Sequence, residues 1–323
     1  MKKGLKRALI ILLALAAALG LSAAASRIIW HRSLMASAVE LYLRIAWGNR
    51  DMTEEEAEAV LDELRRAGDE AYTVPKMRFG SEFEDAELMG SKLLVFTGSE
   101  DPERIVIYLH GGAYVNQITR FHLRFCDRLA KKANARVIAP IYPLAPNHTY
   151  ADAYALIGAL YEGELARGLP VTLMGDSAGG GLAAAFAMKL VSDGKAAPDS
   201  LVLLSPWVDV SMSGDYSALE KVDPMLGTAR LKPFGESWAG ELSTKDPLIS
   251  PLFGSAEGLP KTLLFAGTRE IIYYDLIRFN EMLSEAGVDT TLEIGEGMDH
   301  VYPLYPIPEA GRSMREILDF LTE

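Results

Sequence analysis

A serine lies between two glycines, in the sequence Gly-Asp-Ser-Ala-Gly at 175–179, where an apolar run gives way to an alanine-rich segment. The run Val171–Met174 predicts a buried strand, and Leu182–Leu190 predicts a helix. A Gly-x-Ser-x-Gly motif between a strand and a helix is typical of the nucleophile elbow, a turn so sharp that it needs small residues two positions either side of the serine. The pattern therefore predicts that Ser177 is a nucleophile at a helix N-terminus.

A serine hydroxyl becomes a good nucleophile only when a base takes its proton and an acid orients that base. The chain has five histidines, and His300 is the one that follows Ser177 in the sequence. It lies in a glycine-containing loop after the last predicted strand, at the sheet edge where the serine is also expected. The order serine, acid, histidine is typical of elbow enzymes, and it predicts His300 as the general base.

Three carboxylates are candidates for the acid. Glu270 lies three residues after Gly267, which ends a predicted strand, and the acid is expected in that loop. Asp275 is the main alternative, but its spacing from Glu270 places it inside the next helix. Asp299, beside His300, is the third. We favour Glu270, and the other two remain open at this point.

A second glycine motif directly follows another predicted strand. The backbone N–H groups of Gly111 and Gly112 can face a reacting carbonyl because neither residue has a Cβ in the way. Together with the N–H of Ala178, the residue after the nucleophile, they are predicted to form the oxyanion hole. The residues predicted to contact the substrate are Tyr114 and Asp176.

Five motifs in order carry a resemblance to a known family; they are His110–Tyr114, Tyr142–Pro146, Gly175–Gly180, Asp246–Pro251 and Gly297–His300. Together they resemble the hormone-sensitive-lipase-like esterases of the α/β-hydrolase fold. The resemblance covers roughly residues 70–323. It implies a Ser177–Glu270–His300 triad, a helical cap, and carboxylesterase activity on short to medium acyl chains without a cofactor.

The chain departs from the family pattern at three places. The third glycine of the oxyanion loop is Ala113, and the acid position holds Glu270, where aspartate is more usual. The segment Asn147–Tyr150 also differs from the usual continuation of its motif. The departure at Glu270 concerns the acid of the predicted triad.

Alternating strands and helices must position these residues. The continuous apolar run Arg104–Leu109 predicts a strand buried on both faces. Further strands are predicted at 136–141, 171–174, 201–204, 262–266 and 290–294, helices at 121–133, 150–167 and 309–321, and a pair of strands with an acidic turn at 76–96. This alternation predicts an α/β fold, with a mostly parallel central sheet flanked by helices.

The N-terminus and one insertion are predicted to cap this sheet. Thr53 and Glu56 have the spacing of a capping box, and Gly68 ends the helix that it starts. The insertion at about 211–246 is longer than a simple crossover requires, which favours a helical cap. The predicted organisation is a membrane anchor or signal peptide at 1–26, N-terminal cap helices at 27–75, and a catalytic domain at 76–323 that includes the insertion.

The first residues are predicted to target the chain to a membrane. Four basic residues within the first seven precede an uncharged apolar run from Ala8 to Ser26. This length suits a retained anchor, whereas the small residues Ala23–Ala25 suit cleavage of a signal peptide. In either case the rest of the chain is expected outside the cytoplasm.

Composition narrows the classes of partner. The net charge of −12 argues against nucleic acid, whose binding proteins concentrate basic residues. The single cysteine, Cys126, excludes an internal disulfide, and no spacing typical of a metal site is present. The resemblance implies a small-molecule ester as substrate and no cofactor, and we expect no metal, in a chain compatible with a homodimer. The alternatives are an amide hydrolase or acyltransferase with the same residues, and a non-catalytic small-molecule binder, which is expected to lack His300.

Overall fold

A computed structural model of the chain describes residues 24–46 and 52–323, together with residues 20 and 22. Most of the predicted anchor or signal peptide at 1–26 therefore lies outside the described residues, which include only 20, 22 and 24–26 of it. Within the described part of the chain, no helix has the length and apolar character needed to cross a bilayer.

Eight strands form one sheet, in the order β1-β2-β4-β3-β5-β6-β7-β8. The strands are β1 Glu82–Leu88, β2 Ser91–Thr97, β3 Arg104–Leu109, β4 Ala135–Pro140, β5 Val171–Asp176, β6 Ser200–Leu204, β7 Lys261–Gly267 and β8 Thr290–Gly295. β2 pairs antiparallel with β1 and with β4, and all the other neighbouring pairs are parallel. The predicted mostly parallel sheet is confirmed.

Helices follow most of the parallel strands. They are α1 Leu34–Ala46, α2 Glu54–Ala67, α3 Arg120–Lys132, α4 Tyr150–Leu165, α5 Ser177–Ser192, α6 Thr228–Ala239, α7 Tyr273–Glu285 and α8 Pro308–Thr322. Single 3₁₀ turns occupy Pro251–Phe253 and Tyr302–Leu304. The two strands predicted within 76–96 are present, but the turn between them is not acidic: the acidic side chains lie within β1 itself, on an edge strand where charge discourages pairing with other chains.

The core surrounds the central strands. Every residue of β5 and β6 is buried, and so is every residue of β3 after Arg104. This is the reason that these strands appear in the sequence as continuous apolar runs instead of alternating ones. Their carboxyl ends converge on one edge of the sheet, and the loops that follow β3, β5, β7 and β8 meet there.

Two segments distant in sequence pack against each other. α2 begins with the predicted capping box: the Thr53 hydroxyl accepts the N–H of Glu56, and the Glu56 carboxylate accepts the N–H of Thr53. α2 packs against α6, which lies in the insertion between β6 and β7. The insertion at 211–246 contains this one helix, and the rest of it consists of turns and irregular structure.

Candidate active site

Ser177 lies on the sharp turn between β5 and α5. Its φ of +52° is in the left-handed region, which costs a residue with a side chain roughly 1–2 kcal/mol. The flanking glycines make the turn sterically possible. A Cβ on Gly175 would overlap the carbonyl of Gly179, and a Cβ on Gly179 would overlap the carbonyl of Leu109. The Ser177 hydroxyl is thereby presented at the carboxyl end of the central strand.

The imidazole of His300 connects Ser177 to Glu270. Its Nε2 lies 2.8 Å from the Ser177 Oγ, and its Nδ1 lies 2.6 Å from the Glu270 Oε2. When Nδ1 carries the proton and donates it to the carboxylate, Nε2 is left to accept the hydroxyl proton. The His300 side chain is 2% exposed and Glu270 is 0% exposed, so bulk water does not compete for these bonds.

The loop after β7 fixes the orientation of the Glu270 carboxylate. Its second oxygen, Oε1, accepts the backbone N–H of Gly267 at 2.7 Å. Both oxygens are therefore engaged, one with the backbone of the loop and the other with the imidazole. A carboxylate held in this way selects one ring orientation of His300.

The other two carboxylates considered from the sequence lie elsewhere. Asp275 is in the first turn of α7, where it accepts the hydroxyl of Tyr216 at 2.7 Å. Asp299 faces the guanidinium groups of Arg32 and Arg269, at 3.8 and 3.6 Å. Of the three carboxylates, the structure brings Glu270 to His300.

The environment of His300 sets the pH below which any reaction that uses His300 as a base becomes slower. Burial by itself lowers the pKa of His300, but the hydrogen bond and charge of Glu270 outweigh burial and raise it above the ordinary 6.5. A base must be unprotonated in the free enzyme. We therefore expect kcat/KM for an uncharged ester to fall as the pH drops through this raised pKa, with a midpoint above 6.5.

The matching experiment is a pH–rate profile of the wild type and of Glu270→Gln. The variant lacks the charge that raises the pKa of His300, so its residual activity should have a midpoint at lower pH. A wild-type midpoint below 6.5, or a midpoint that does not move in the variant, would contradict this interpretation of the His300–Glu270 contact.

The buried carboxylate of Asp176 holds the glycine loop that follows β3. Its Oδ1 accepts the N–H of Gly111 at 3.0 Å and the hydroxyl of Tyr108 at 2.6 Å, and its Oδ2 lies 3.2 Å from Nε2 of His122. Burial raises the pKa of Asp176, but His122, Tyr108 and Gly111 outweigh burial, and the pKa lies below the ordinary value for an aspartate. Asp176 is therefore an ionised group inside the protein.

These contacts correct the predicted oxyanion hole. The N–H of Gly111 already donates to Asp176, so Gly111 is not positioned to donate to a substrate. Gly112 and Ala113 line the same cavity as Ser177, and Ala178 lies in the first turn of α5, where backbone N–H groups have no partner within the helix. Asp176 also borders this cavity, but the atoms of its carboxylate bind protein groups; its contact with substrate stays a prediction.

Tyr114 is not among the residues that line the cavity, so its contact with substrate has no support in the structure and stays a prediction. Its side chain is 1% exposed and stacks on Trp238 of α6, with the two ring centroids 4.1 Å apart and the planes nearly parallel. Trp207 stacks at 5.6 Å. A left-handed φ of +63° at Tyr114 directs the ring into this packing between the sheet and the insertion.

The glycine loop should be intolerant of a side chain at Gly111. A Cβ there would overlap the Asp176 carboxylate and lie 2.9 Å from the Ser177 Cβ. We expect Gly111→Ala to lower kcat by about 10²-fold or more, because the new side chain would displace the loop that carries Gly112 and Ala113; the scale is that of losing one oxyanion donor. The matched control is Ala113→Gly, since Ala113 has a φ of +54° that glycine adopts without strain. Steady-state kinetics on a soluble ester, with thermal unfolding of each variant, compares the two, and similar kcat values for both would contradict the expectation.

A buried ion cluster joins the N-terminal segment to the His300 loop. Glu40 of α1 contacts the guanidinium groups of Arg32, Arg44 and Arg269, the last at 3.0 Å. Arg32 also donates to the carbonyl of Gly297 at 3.2 Å. The N-terminal segment thus binds the loop that precedes the candidate base.

Asp299 belongs to the same ion cluster. Burial and the charge of Glu40 raise its pKa to about 7, although Arg32 and Arg269 act in the opposite direction. This cluster is not predictable from local sequence pattern, because its charges come from separate parts of the chain. The available signal was Glu40, which the helical period places on the same side of α1 as the apolar Ala36 and Leu43.

Asp223 is a second functional candidate that the sequence analysis missed. This residue of the insertion is fully buried, and its Oδ2 accepts the N–H of Ile271 at 2.8 Å. Its Oδ1 accepts the N–H groups of Met225 and Leu226. Because Ile271 follows Glu270, the insertion is hydrogen-bonded to the loop of the candidate acid, and the charge of Asp223 contributes to the raised pKa of His300.

Ser177 and His300 open into a cavity of about 360 Å³, a size typical of small-molecule sites. Its walls are mostly apolar and include Leu43 of α1, Phe121 of α3 and Leu226 of the insertion. No group of three or more histidine, cysteine or acidic side chains arranged to hold a metal ion occurs among the residues that the structure describes. The arrangement can perform acyl transfer through a serine, with an apolar pocket for the substrate.

Comparisons with known proteins agree with this geometry. The chain matches a family model described as alpha/beta hydrolase fold over residues 106–304, a span that includes Ser177, Glu270 and His300. An esterase of Acinetobacter venetianus is 30% identical over 226 residues, which are 68% of this chain and 75% of that protein. An acetyl-hydrolase of Streptomyces hygroscopicus is 33% identical over 219 residues, 66% of this chain and 73% of the other.

A solved structure extends the likeness to nearly the whole fold. A hormone-sensitive lipase from a metagenome library superimposes with a TM-score of 0.75 at 28% identity, covering 89% of this chain and 98% of that one. The coverage includes more of this chain than the family model does, so the likeness extends beyond residues 106–304.

Proposed function

The chain belongs to the α/β-hydrolase family, and on this premise we propose that it is a serine carboxylic-ester hydrolase acting on short to medium acyl esters. The observation that carries the proposal is the connection of Ser177 to His300 and of His300 to Glu270, at 2.8 and 2.6 Å. A hydroxyl, an imidazole and a carboxylate in this order are the parts that acyl transfer through serine requires.

In the proposed reaction, His300 Nε2 takes the Ser177 proton while Oγ forms a bond to the ester carbonyl carbon. Glu270 accepts the Nδ1–H hydrogen bond and stabilises the imidazolium that results. The tetrahedral intermediate collapses, its carbon–oxygen bond to the alcohol breaks, and His300 returns the proton to the leaving alcohol. Water then repeats the sequence on the acyl-enzyme, releasing the acid and restoring Ser177.

We assign the oxyanion donors to the N–H groups of Gly112, Ala113 and Ala178. The first two line the cavity beside Ser177, and the third follows the nucleophile. This assignment replaces Gly111 with Ala113, because the Gly111 N–H is bound by Asp176. Fixed donors of this kind stabilise the developing negative charge without reorganisation during the reaction.

The decisive experiment is covalent trapping with a fluorophosphonate, which forms a stable bond with an activated serine. We expect loss of esterase activity together with one adduct, located at Ser177 by peptide mass spectrometry. The Glu270→Gln variant, whose His300 lacks its carboxylate partner, should react more slowly. An adduct on another residue, or inactivation without an adduct, would contradict the proposed nucleophile.

A substrate panel separates the remaining alternatives. We expect turnover of p-nitrophenyl esters from acetyl to decanoyl, with a maximum at short or medium length, and much slower turnover of the matching anilides. Faster turnover of anilides would favour an amide hydrolase, and preferential transfer to an added alcohol would favour an acyltransferase. Neither turnover nor adduct formation would favour a non-catalytic binder.

We further infer, from the sequence of residues 1–26, that the chain is exported from the cytoplasm and either tethered to the membrane or released after cleavage. The support is the basic start followed by the uncharged run up to Ser26. N-terminal sequencing of the mature chain tests this: a first residue near Ser26 indicates cleavage, and an intact leader in the membrane fraction indicates a tether.

A further inference from the structure

The surface of α1 has the opposite polarity from that of a helix facing water. The residues at its exposed positions are all apolar: Leu34, Met35, Ala38, Leu41, Tyr42, Ile45 and Ala46. Its two charged residues, Glu40 and Arg44, instead face the protein and join the ion cluster, with Glu40 buried and Arg44 half-buried. A surface helix in water normally places its charges outward and its apolar stripe inward.

Exposed apolar side chains are concentrated in this part of the chain. Within the described residues, eight of the eleven large exposed hydrophobic side chains lie between residues 28 and 45. They include Trp30, 44% exposed, and Ile45, 75% exposed. We call these eight residues the apolar face; they are Ile28, Ile29, Trp30, Leu34, Met35, Leu41, Tyr42 and Ile45. Clusters of this kind mark surfaces that bind another apolar body.

The apolar face continues into the candidate active site. Tyr42 lines the cavity that contains Ser177, and it also lines a neighbouring apolar groove. The other residues of that groove are Ala38, Val39, Phe121, Tyr305 and Pro306. Tyr42 therefore joins the apolar face to the cavity that contains the catalytic serine.

The sequence before α1 indicates what covers the apolar face. The uncharged run from Ala8 to Ser26 ends two residues before Ile28, and a run of that composition and length partitions into a bilayer. Trp30 and Tyr42 have an apolar ring with a polar atom, the type of side chain enriched where hydrocarbon meets headgroups. A second copy of the chain would also cover the face, but it would not account for the preceding run.

We propose that the apolar face lies in the interfacial region of a lipid bilayer, and that the enzyme takes esters dissolved in the membrane directly into its cavity. The inference rests on the proposed esterase function and adds a docking surface and a substrate class to it. Apolar side chains of α1 enter the boundary between headgroups and acyl chains, as in helices that lie along a membrane surface. The charged side of α1 stays on the protein.

The position of α1 can be measured in the full chain. Cys126 is the single cysteine of the chain and is buried, so a cysteine introduced at Ile45→Cys can be labelled selectively with an environment-sensitive fluorophore. The matched control is Met89→Cys, which is 65% exposed in the turn between β1 and β2 at the far edge of the sheet. The labelled chains are reconstituted in phosphatidylcholine vesicles that contain nitroxide-labelled phosphatidylcholine.

We expect the label at position 45 to shift to shorter emission wavelength and to be quenched by the nitroxide lipid, and the label at position 89 to do neither. Equal quenching at both positions, or at neither, would overturn the proposal. A label at 45 that is shielded but unquenched, with a disulfide-linked dimer of Ile45→Cys, would assign the face to a second copy and would also overturn it.

Activity gives an independent test. The double variant Leu41→Glu/Ile45→Glu should hydrolyse an ester dissolved in phosphatidylcholine vesicles at least about tenfold more slowly, because two apolar side chains are lost from the interface. Its kcat/KM on a soluble p-nitrophenyl ester should match that of the wild type, and Met89→Glu should leave both rates unchanged. A parallel loss on both substrates would contradict a docking role. If the wild type hydrolysed neither ester, the proposed esterase function itself would fail.

Discussion

Replacement of Ser177 with alanine is expected to lower kcat for ester hydrolysis by roughly 10⁶-fold, the scale measured for removing a serine nucleophile elsewhere. The reason is geometric: the Ser177 Oγ is the atom that His300 Nε2 contacts at 2.8 Å, and the variant has no atom there to attack the substrate. The oxyanion donors and the cavity remain, so a residual rate above that in water is expected.

A buried serine elsewhere in the sheet provides the control. Ser200 begins β6, at the end of the strand opposite the candidate site, and its hydroxyl lies 2.9 Å from the Thr172 hydroxyl. Ser200→Ala should keep a kcat close to the wild-type value. Steady-state kinetics and circular dichroism on both variants make the comparison. If Ser177→Ala retained activity of the same order as the wild type, another group would have to be the nucleophile.

The second large effect is expected at the acid. Glu270→Gln should lower kcat by about 10⁴-fold, as when the acid of a serine triad becomes an amide. An amide can donate a hydrogen bond to Nδ1 of His300, which leaves the proton on Nε2 and prevents that atom from accepting one from Ser177. The carboxylate of Glu270 is 2.6 Å from Nδ1, so the substitution acts directly on the base.

Asp275→Asn is the matched control for the acid, since the sequence leaves it open as an alternative. The Asp275 carboxylate accepts the Tyr216 hydroxyl, and burial raises its pKa to about 6, so its loss should affect local packing more than turnover. A single-turnover assay with a chromogenic ester measures both variants. Equal losses in Glu270→Gln and Asp275→Asn would reassign the acid.

Much of the fold follows from local pattern in the sequence. The strand Arg104–Leu109 is predicted with its observed bounds, because a strand buried on both faces has a continuous apolar run with clear ends. The parallel arrangement follows from the alternation of strands and helices. Less was predictable for α1, where apolar residues lie outward and the helical period by itself does not state which side faces the protein.

The candidate site was likewise predictable from the sequence only in part. Ser177 and His300 could be located because their positions relative to strands are fixed by the fold, and the strands were identifiable. The hydrogen bond donated by the Gly111 N–H could not be predicted, because its acceptor is the buried carboxylate of Asp176, which is 65 residues away in sequence. The position of Tyr114 depends on contact with Trp238 across the insertion, which sequence spacing does not encode.

The ion cluster around Glu40 also affects how a freely soluble form of the enzyme should be engineered. Deleting everything before residue 52 would eliminate the exposed hydrophobic side chains of α1, but it would also eliminate Arg32 and Glu40. Next to His300, Arg269 would then lose its contact with Glu40 and Asp299 its contact with Arg32, while their contact with each other would remain. Point substitutions on the outer side of α1 avoid this, because they keep the inner side that supports the histidine loop.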